Sequence, residues 1–110
     1  MKLYVDDVRQ APEGWQLAKT AGTAIAILMR ETIEELSLDH DLGDPEAGTG
    51  YDVIVWLEEK AFSGNWQHVP PVIWVHSANP IGRQRIQAGI DAIEQVRNDF
   101  VGRPAQWCGK

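Results

Sequence analysis

The sequence predicts one α/β domain, a mostly parallel sheet of about four strands with covering helices. Three observations carry this. Apolar runs of strand length alternate with runs of helical periodicity in the order strand, strand, helix, strand, helix, strand, helix. The run Val72-Ile73-Trp74-Val75 is unbroken, as a parallel strand covered on both faces requires. At 110 residues, 44% hydrophobic and 24% charged, the chain suffices for one core but not for two.

Lys2 to Val5 reads as a short buried strand ending in Asp6-Asp7. Trp15 to Ala18 follows as a second strand, after a Pro- and Gly-containing connection too short for an ordinary helical crossover. Thr20 is the expected N-cap of a helix reaching about Arg30, with Ala24, Ile27 and Leu28 on its apolar face. Ile33 to Leu38 gives a third strand that runs directly into Asp39-His40-Asp41-Leu42-Gly43. The stretch from Gly43 to Gly50 has loop composition, and Thr49 with Asp52 three residues on forms a capping-box pattern. Val53, Ile54, Trp56, Leu57 and Ala61 supply the stripe of the helix it opens. Ser63 to His68 reads as a loop, and Val72 to Val75 as the fourth strand, ending at His76-Ser77. Asn79 and Pro80 fit the N-cap and first position of a last helix, with Ile86, Ile90, Ile93 and Val96 at helical spacing to about residue 98. No fifth apolar run follows Val96, so a fifth strand is lacking and residues 100–110 read as a C-terminal tail.

Composition excludes several function classes. A formal charge of −6 disfavours broad binding of duplex nucleic acid, which relies on a basic surface to displace counterions. A small anionic ligand would need a local positive feature. No apolar run approaches membrane-spanning length, and Met1 to Asp7 does not read as a secretory leader, so no membrane partner and a cytoplasmic location are expected. The single cysteine, Cys108, has no partner for an internal disulfide.

In open parallel sheets ligands bind beyond the carboxyl ends of the strands. There the unusual residues gather: Asp6-Asp7, Asp39-His40-Asp41 and His76-Ser77 each follow a strand immediately. One aspartate after a strand is commonly a turn former, and a histidine ending an apolar strand is commonly a core residue satisfied by a carbonyl. Convergence of three segments on one rim favours a polar site. Two imidazoles titrating near neutrality suit the opening of a phosphodiester ring, one accepting a proton from water and the other protonating the departing oxygen. The flanking carboxylates Asp39 and Asp41 favour a protonated His40, making it the better acid and His76 the base. His68, in a Trp/Gln/Pro loop, is expected to face solvent. Ser77 and the Asn79-Pro80 helix start offer phosphate donors through a hydroxyl and unpaired backbone N–H groups, and Arg9 and Arg83 could supply charge.

The segments Val5-Asp6-Asp7-Val8-Arg9, Leu38-Asp39-His40-Asp41-Leu42-Gly43, Thr49-Gly50-Tyr51-Asp52 and His76-Ser77-Ala78-Asn79-Pro80 resemble the flavodoxin-like receiver domains of bacterial response regulators. More closely, they resemble the cyclic-phosphate-processing receiver family. The likeness runs in order from about residue 2 to 97. It implies strand order 2-1-3-4, Asp6 and Asp7 as an acidic metal-binding pair, Asp39 at the phosphoacceptor position and Ser77 at the hydroxyl position. The terminal Lys-Pro strand and the usual first helix of a signalling receiver have no counterpart here, and His40 and His76 are additions. The implied activity is a phosphoesterase acting on a cyclic phosphate, such as a 2',3'-cyclic phosphate of an RNA 3' end or a nucleotide.

Four aspartates around an anionic substrate create a conflict. Two like charges about 4 Å apart repel by on the order of 4 kcal/mol near a protein surface, so a cation is required. Protonated histidine and arginine could supply it, or a divalent ion on Asp6, Asp7 and Asp39, oxygen ligands suited to magnesium or manganese. Two other functions fit the same residues: a catalytically silent interaction module, and a metal-dependent phosphomonoester hydrolase with Asp39 as nucleophile. The fourth strand would lie at a sheet edge, to be covered by residues 100–107 or by a second subunit.

Overall fold

The computed structural model describes residues 1–43 and 45–102, apart from the side chains of residues 45 and 100–102. The elements run β1 (Lys2–Val5), β2 (Trp15–Ala18), α1 (Ala21–Arg30), β3 (Glu35–Leu38), α2 (Gly50–Phe62), β4 (Val72–Val75) and α3 (Pro80–Gly102). Short 3-10 turns occupy Pro45–Ala47 and Trp66–His68, the latter within the segment expected to be loop. All strand pairs are parallel, in order β2-β1-β3-β4. This is the flavodoxin-like receiver arrangement, with four strands among the described residues.

Local chemistry sets the helix starts. The Thr20 hydroxyl accepts the Thr23 N–H at 3.0 Å and caps α1. Thr49 and Asp52 form the reciprocal capping box of α2, Thr49 N donating to Asp52 Oδ2 at 2.8 Å and Asp52 N to Thr49 Oγ1. Residues 6–14 carry β1 to β2 without a helix. Arg97 on α3 donates to the carbonyls of Pro70 and Pro71 at 2.8 and 2.9 Å and so fastens that helix to the entrance of β4.

The helices share one face of the sheet. The crossovers β2-α1-β3 and β3-α2-β4 advance in the same direction, and right-handed connections then place both helices on the same side. Leu3, Val5, Leu36, Leu38 and Ile73 point to that side and join Leu28, Ile54, Leu57, Ile86 and Ile93 in a single core. Each fully buried leucine contributes about 1.5–3 kcal/mol over exposure. The opposite face carries the alternate residues, with Tyr4 opposite Leu17 and Ser37, and Ser37 opposite Trp74.

Three expectations are corrected. β4 is not covered on both faces: Ile73 is buried, but Val72 is 40% and Trp74 55% exposed, because β4 is an edge strand and its helices all lie behind it. β3 begins at Glu35; Ile33 is buried, but in the approach to the strand. The last helix does not stop near residue 98 but continues through the first residues assigned to the tail, to Gly102. Covering of the fourth strand by residues 100–107, like Cys108, lies outside the described residues and side chains. No described helix is long and apolar enough to cross a membrane.

Candidate functional site

Side-chain alternation delivers the site. Residues two apart on a strand share a face, so the open face that holds Tyr4, Ser37 and Trp74 leads on to Asp6, Asp39 and His76 just beyond the strand ends. Backbone pairing continues one step past the strands and fixes these three. Asp6 N donates to Ala18 O at 3.1 Å, Asp39 N to Val5 O at 2.9 Å, and His76 N to Leu38 O at 2.9 Å.

At this rim an open cleft of about 330 Å³ is lined by Asp6, Asp7, Val8, Arg9, Asp39, Asp41, Gly43 and Ala78. That volume is in the range of small-molecule sites. Neither histidine is among its lining residues; they stand on its flanks, each paired with an aspartate that is. His76 Nε2 lies 3.0 Å from Asp6 Oδ2, while Nδ1 lies 2.7 Å from the Ser37 hydroxyl. The ring is stacked on Tyr4, centroids 4.3 Å apart and planes 5° from parallel. On the helical side, His40 Nδ1 is 2.9 Å from Asp41 Oδ1, and the ring rests against Gly82 of α3, where a methyl group would collide with it.

Asp6 is 1% exposed. Burial alone pushes its carboxyl pKa up, but the N–H groups of Arg9 and Val8, both 2.9 Å from Oδ1, and the bond and charge of His76 outweigh it. The carboxyl is held below its ordinary value and stays ionised. Asp41 is also lowered, first by the His40 hydrogen bond, against a smaller desolvation effect, with help from Asn79 and the His40 charge.

Asn79 caps the last helix as expected, but the cap takes up N–H groups expected to serve a phosphate. Asn79 Oδ1 accepts the N–H groups of Ile81 and Gly82, both at 3.1 Å, and Arg83 N donates to Asn79 O. Those donors are therefore occupied. The Asn79 amide instead donates towards both Asp41 oxygens at 3.4 Å. Ser77 is buried and its oxygen accepts the Asn79 N–H at 3.1 Å, which leaves its O–H to donate. Arg9 lines the cleft but donates Nη1 to the His76 carbonyl at 2.8 Å. Arg83 is exposed on α3, outside the cleft lining. His68 is not solvent-facing: it is half-buried beside Trp56, with Nδ1 3.3 Å from Leu28 O.

Asp6, Asp39 and His76 each offer one donor atom, and these atoms lie within 4.8 Å of one another. Asp7 is not in that group; its carboxylate lies beside Gly43, whose φ of +81° turns the backbone close to it. Ser37 and Tyr4 were not foreseen as site residues. The available signal was Ser37 itself, a hydroxyl set between the buried Leu36 and Leu38, two residues before Asp39.

A family model described as the cyclic-phosphate processing receiver domain matches residues 1–92. No curated protein matches the chain. Among solved structures, a signal receiver domain from Vibrio parahaemolyticus is similar at 16% identity and a TM-score of 0.44, over 93% of this chain and 95% of that one.

Proposed function

Because the chain belongs to the family of cyclic-phosphate processing receiver domains, we propose that it hydrolyses a cyclic phosphodiester to a phosphomonoester, with His40 and His76 dividing the proton transfers. The observation that carries this reading is the pair of aspartate–histidine contacts, Asp41–His40 at 2.9 Å and Asp6–His76 at 3.0 Å, on the two flanks of a cleft that contains Asp39.

Water attacks phosphorus and loses a proton; the ring P–O bond breaks and the departing oxygen gains one. His40 suits the second transfer. Asp41 engages Nδ1, which leaves Nε2 to give its proton to the leaving oxygen. The Asp6–His76 pair is the acceptor for a water entering beside Asp6 Oδ2. The Ser77 hydroxyl, the Asn79 amide and the Arg9 guanidinium are the phosphate donors. Arg83, farther out, would meet only the distal part of a larger substrate, such as an RNA 3' end.

A second reading is favoured by one observation: Asp39 lines the cleft and the histidines do not. In that reading Asp39 attacks an ordinary phosphomonoester, and a magnesium or manganese ion on the acidic residues screens the charge. Purified protein incubated with 2',3'-cyclic nucleotides, an RNA ending in a cyclic phosphate, an ADP-ribose-derived cyclic phosphate and a simple monoester separates the two. Cyclic substrates opened with chelator present support the two-histidine route. Turnover of the monoester alone, abolished by chelator and by Asp39→Asn, replaces it with the second. No turnover of any substrate removes both and leaves an interaction module.

A further inference from the structure

Among the described residues, neither lysine nor arginine makes an ion pair with Asp6, Asp7, Asp39 or Asp41. Arg9 is at the cleft, but its Nη1 is bonded to a carbonyl. Negative charge is therefore concentrated without a fixed counter-cation, while one nitrogen donor is held 3.0 Å from the Asp6 carboxylate and within 4.8 Å of that of Asp39.

We infer that Asp6, Asp39 and His76 form a divalent-metal site with mixed nitrogen and oxygen donors, selective for manganese or zinc over magnesium, and that Asp7 is not one of its ligands. Bonds of about 2.1 Å put neighbouring donors about 3.0–3.4 Å apart. The Nε2 to Oδ2 distance of 3.0 Å already meets that spacing, and the third donor lies within 4.8 Å of both.

What distinguishes this trio from a chance group of acids is the support each ligand receives from outside it. Metal-binding histidines characteristically give their other N–H to a fixed partner, which turns the lone pair towards the ion. Ser37, 6% exposed in the middle of a strand, is that partner at 2.7 Å from Nδ1, and the Tyr4 stack sets the ring plane. Asp6 is held in the same manner: two backbone N–H groups bind Oδ1 and leave Oδ2 facing the trio. Asp7 has no comparable arrangement. One imidazole among the ligands favours borderline metals over magnesium, which prefers an all-oxygen, water-rich shell. A bound ion would replace the proton between His76 Nε2 and Asp6 Oδ2, so His76 carries protons only in the ion-free site.

Calorimetric titration of the full chain with Mn²⁺, Zn²⁺ and Mg²⁺, together with pulsed paramagnetic resonance of the Mn²⁺ form, tests this independently of activity. We expect a nitrogen coupling in the Mn²⁺ spectrum that disappears in His76→Gln. His76→Gln and Asp39→Asn should each weaken Mn²⁺ at least tenfold, Ser37→Ala by about 10–100-fold as for lost outer partners, and Asp7→Asn by less than twofold. Thermal melts of each variant establish that the fold persists. The inference is overturned if Asp7→Asn abolishes binding while His76→Gln leaves it intact, or if no ion binds at millimolar concentration. Metal binding with the nitrogen coupling, but no hydrolysis of cyclic phosphates, would defeat the proposed reaction and leave the metal site standing. Hydrolysis of cyclic phosphates by a protein that gives no calorimetric binding of any of the three ions would do the reverse.

Discussion

The imidazole of His76 lies flat on the phenol ring of Tyr4, 4.3 Å between centroids, linking the end of β4 to β1 with β3 between them in the sheet. An aromatic pair of this kind contributes about 0.5–1.5 kcal/mol beyond its buried area. Tyr4→Phe should leave the melting temperature close to that of the native protein. Tyr4→Leu should lose about the full stacking contribution and broaden the His76 ring signals in NMR spectra. Equal effects from the two substitutions would mean that the flat contact does not hold the imidazole.

Gly82→Ala tests the seat of His40. In an exposed helix interior this change stabilises by about 1 kcal/mol. Here the new methyl group meets the His40 ring, so the sign should reverse, with a loss of about 1–3 kcal/mol from overpacking. Adding His40→Ala should recover most of that loss, a non-additivity that a double-mutant cycle measures directly.

Acid sensitivity should trace to Asp6. Its pKa is lowered in the folded state, so the stability it contributes is present above its unfolded value and disappears as pH falls through the folded one. Asp6→Asn keeps the acceptor for Val8 and Arg9 but removes the charge. Its melting temperature should fall below that of the native protein at pH 7, and the two curves should converge below about pH 4. A constant gap down to pH 2 would assign the difference to packing.

Glu58 has the opposite sign. Burial raises its carboxyl pKa, so ionisation opposes folding at neutral pH and costs nothing once the group is protonated in both states. Glu58→Gln should therefore raise the melting temperature at pH 7 by a few degrees, the response to about 1 kcal/mol in a domain of this size, and leave it unchanged at pH 3.

Much of this was written locally. Thr20 and the Thr49–Asp52 pair announce their helices because a cap needs only neighbours in sequence. The strand order follows from connection lengths and the resemblance. What the chain did not declare is which face each residue takes beyond a strand end. His40 and His76 follow adjacent strands, yet the first turns to α3 and the second to the open face. Alternation held the clue, with Leu38 and His40 on one parity and Trp74 and His76 on the other. The one-sided burial of β4 was hidden for a different reason: Val72-Ile73-Trp74-Val75 has the same composition whether one face or two is covered, and only the number of helices behind it decides.

A sheet with helices on one side is wet on the other before unfolding begins. Trp74, Val72 and the exposed parts of Tyr4, Trp15 and Leu17 already meet water in the native state, so denaturation uncovers correspondingly little new apolar area there. The slope of stability against urea and the heat-capacity increment both scale with newly exposed surface. For this chain the increment should fall below the usual figure of about 12–15 cal/mol/K per residue. Its stability curve against temperature should be correspondingly shallow, so that modest cooling and modest warming leave the folded fraction nearly unchanged.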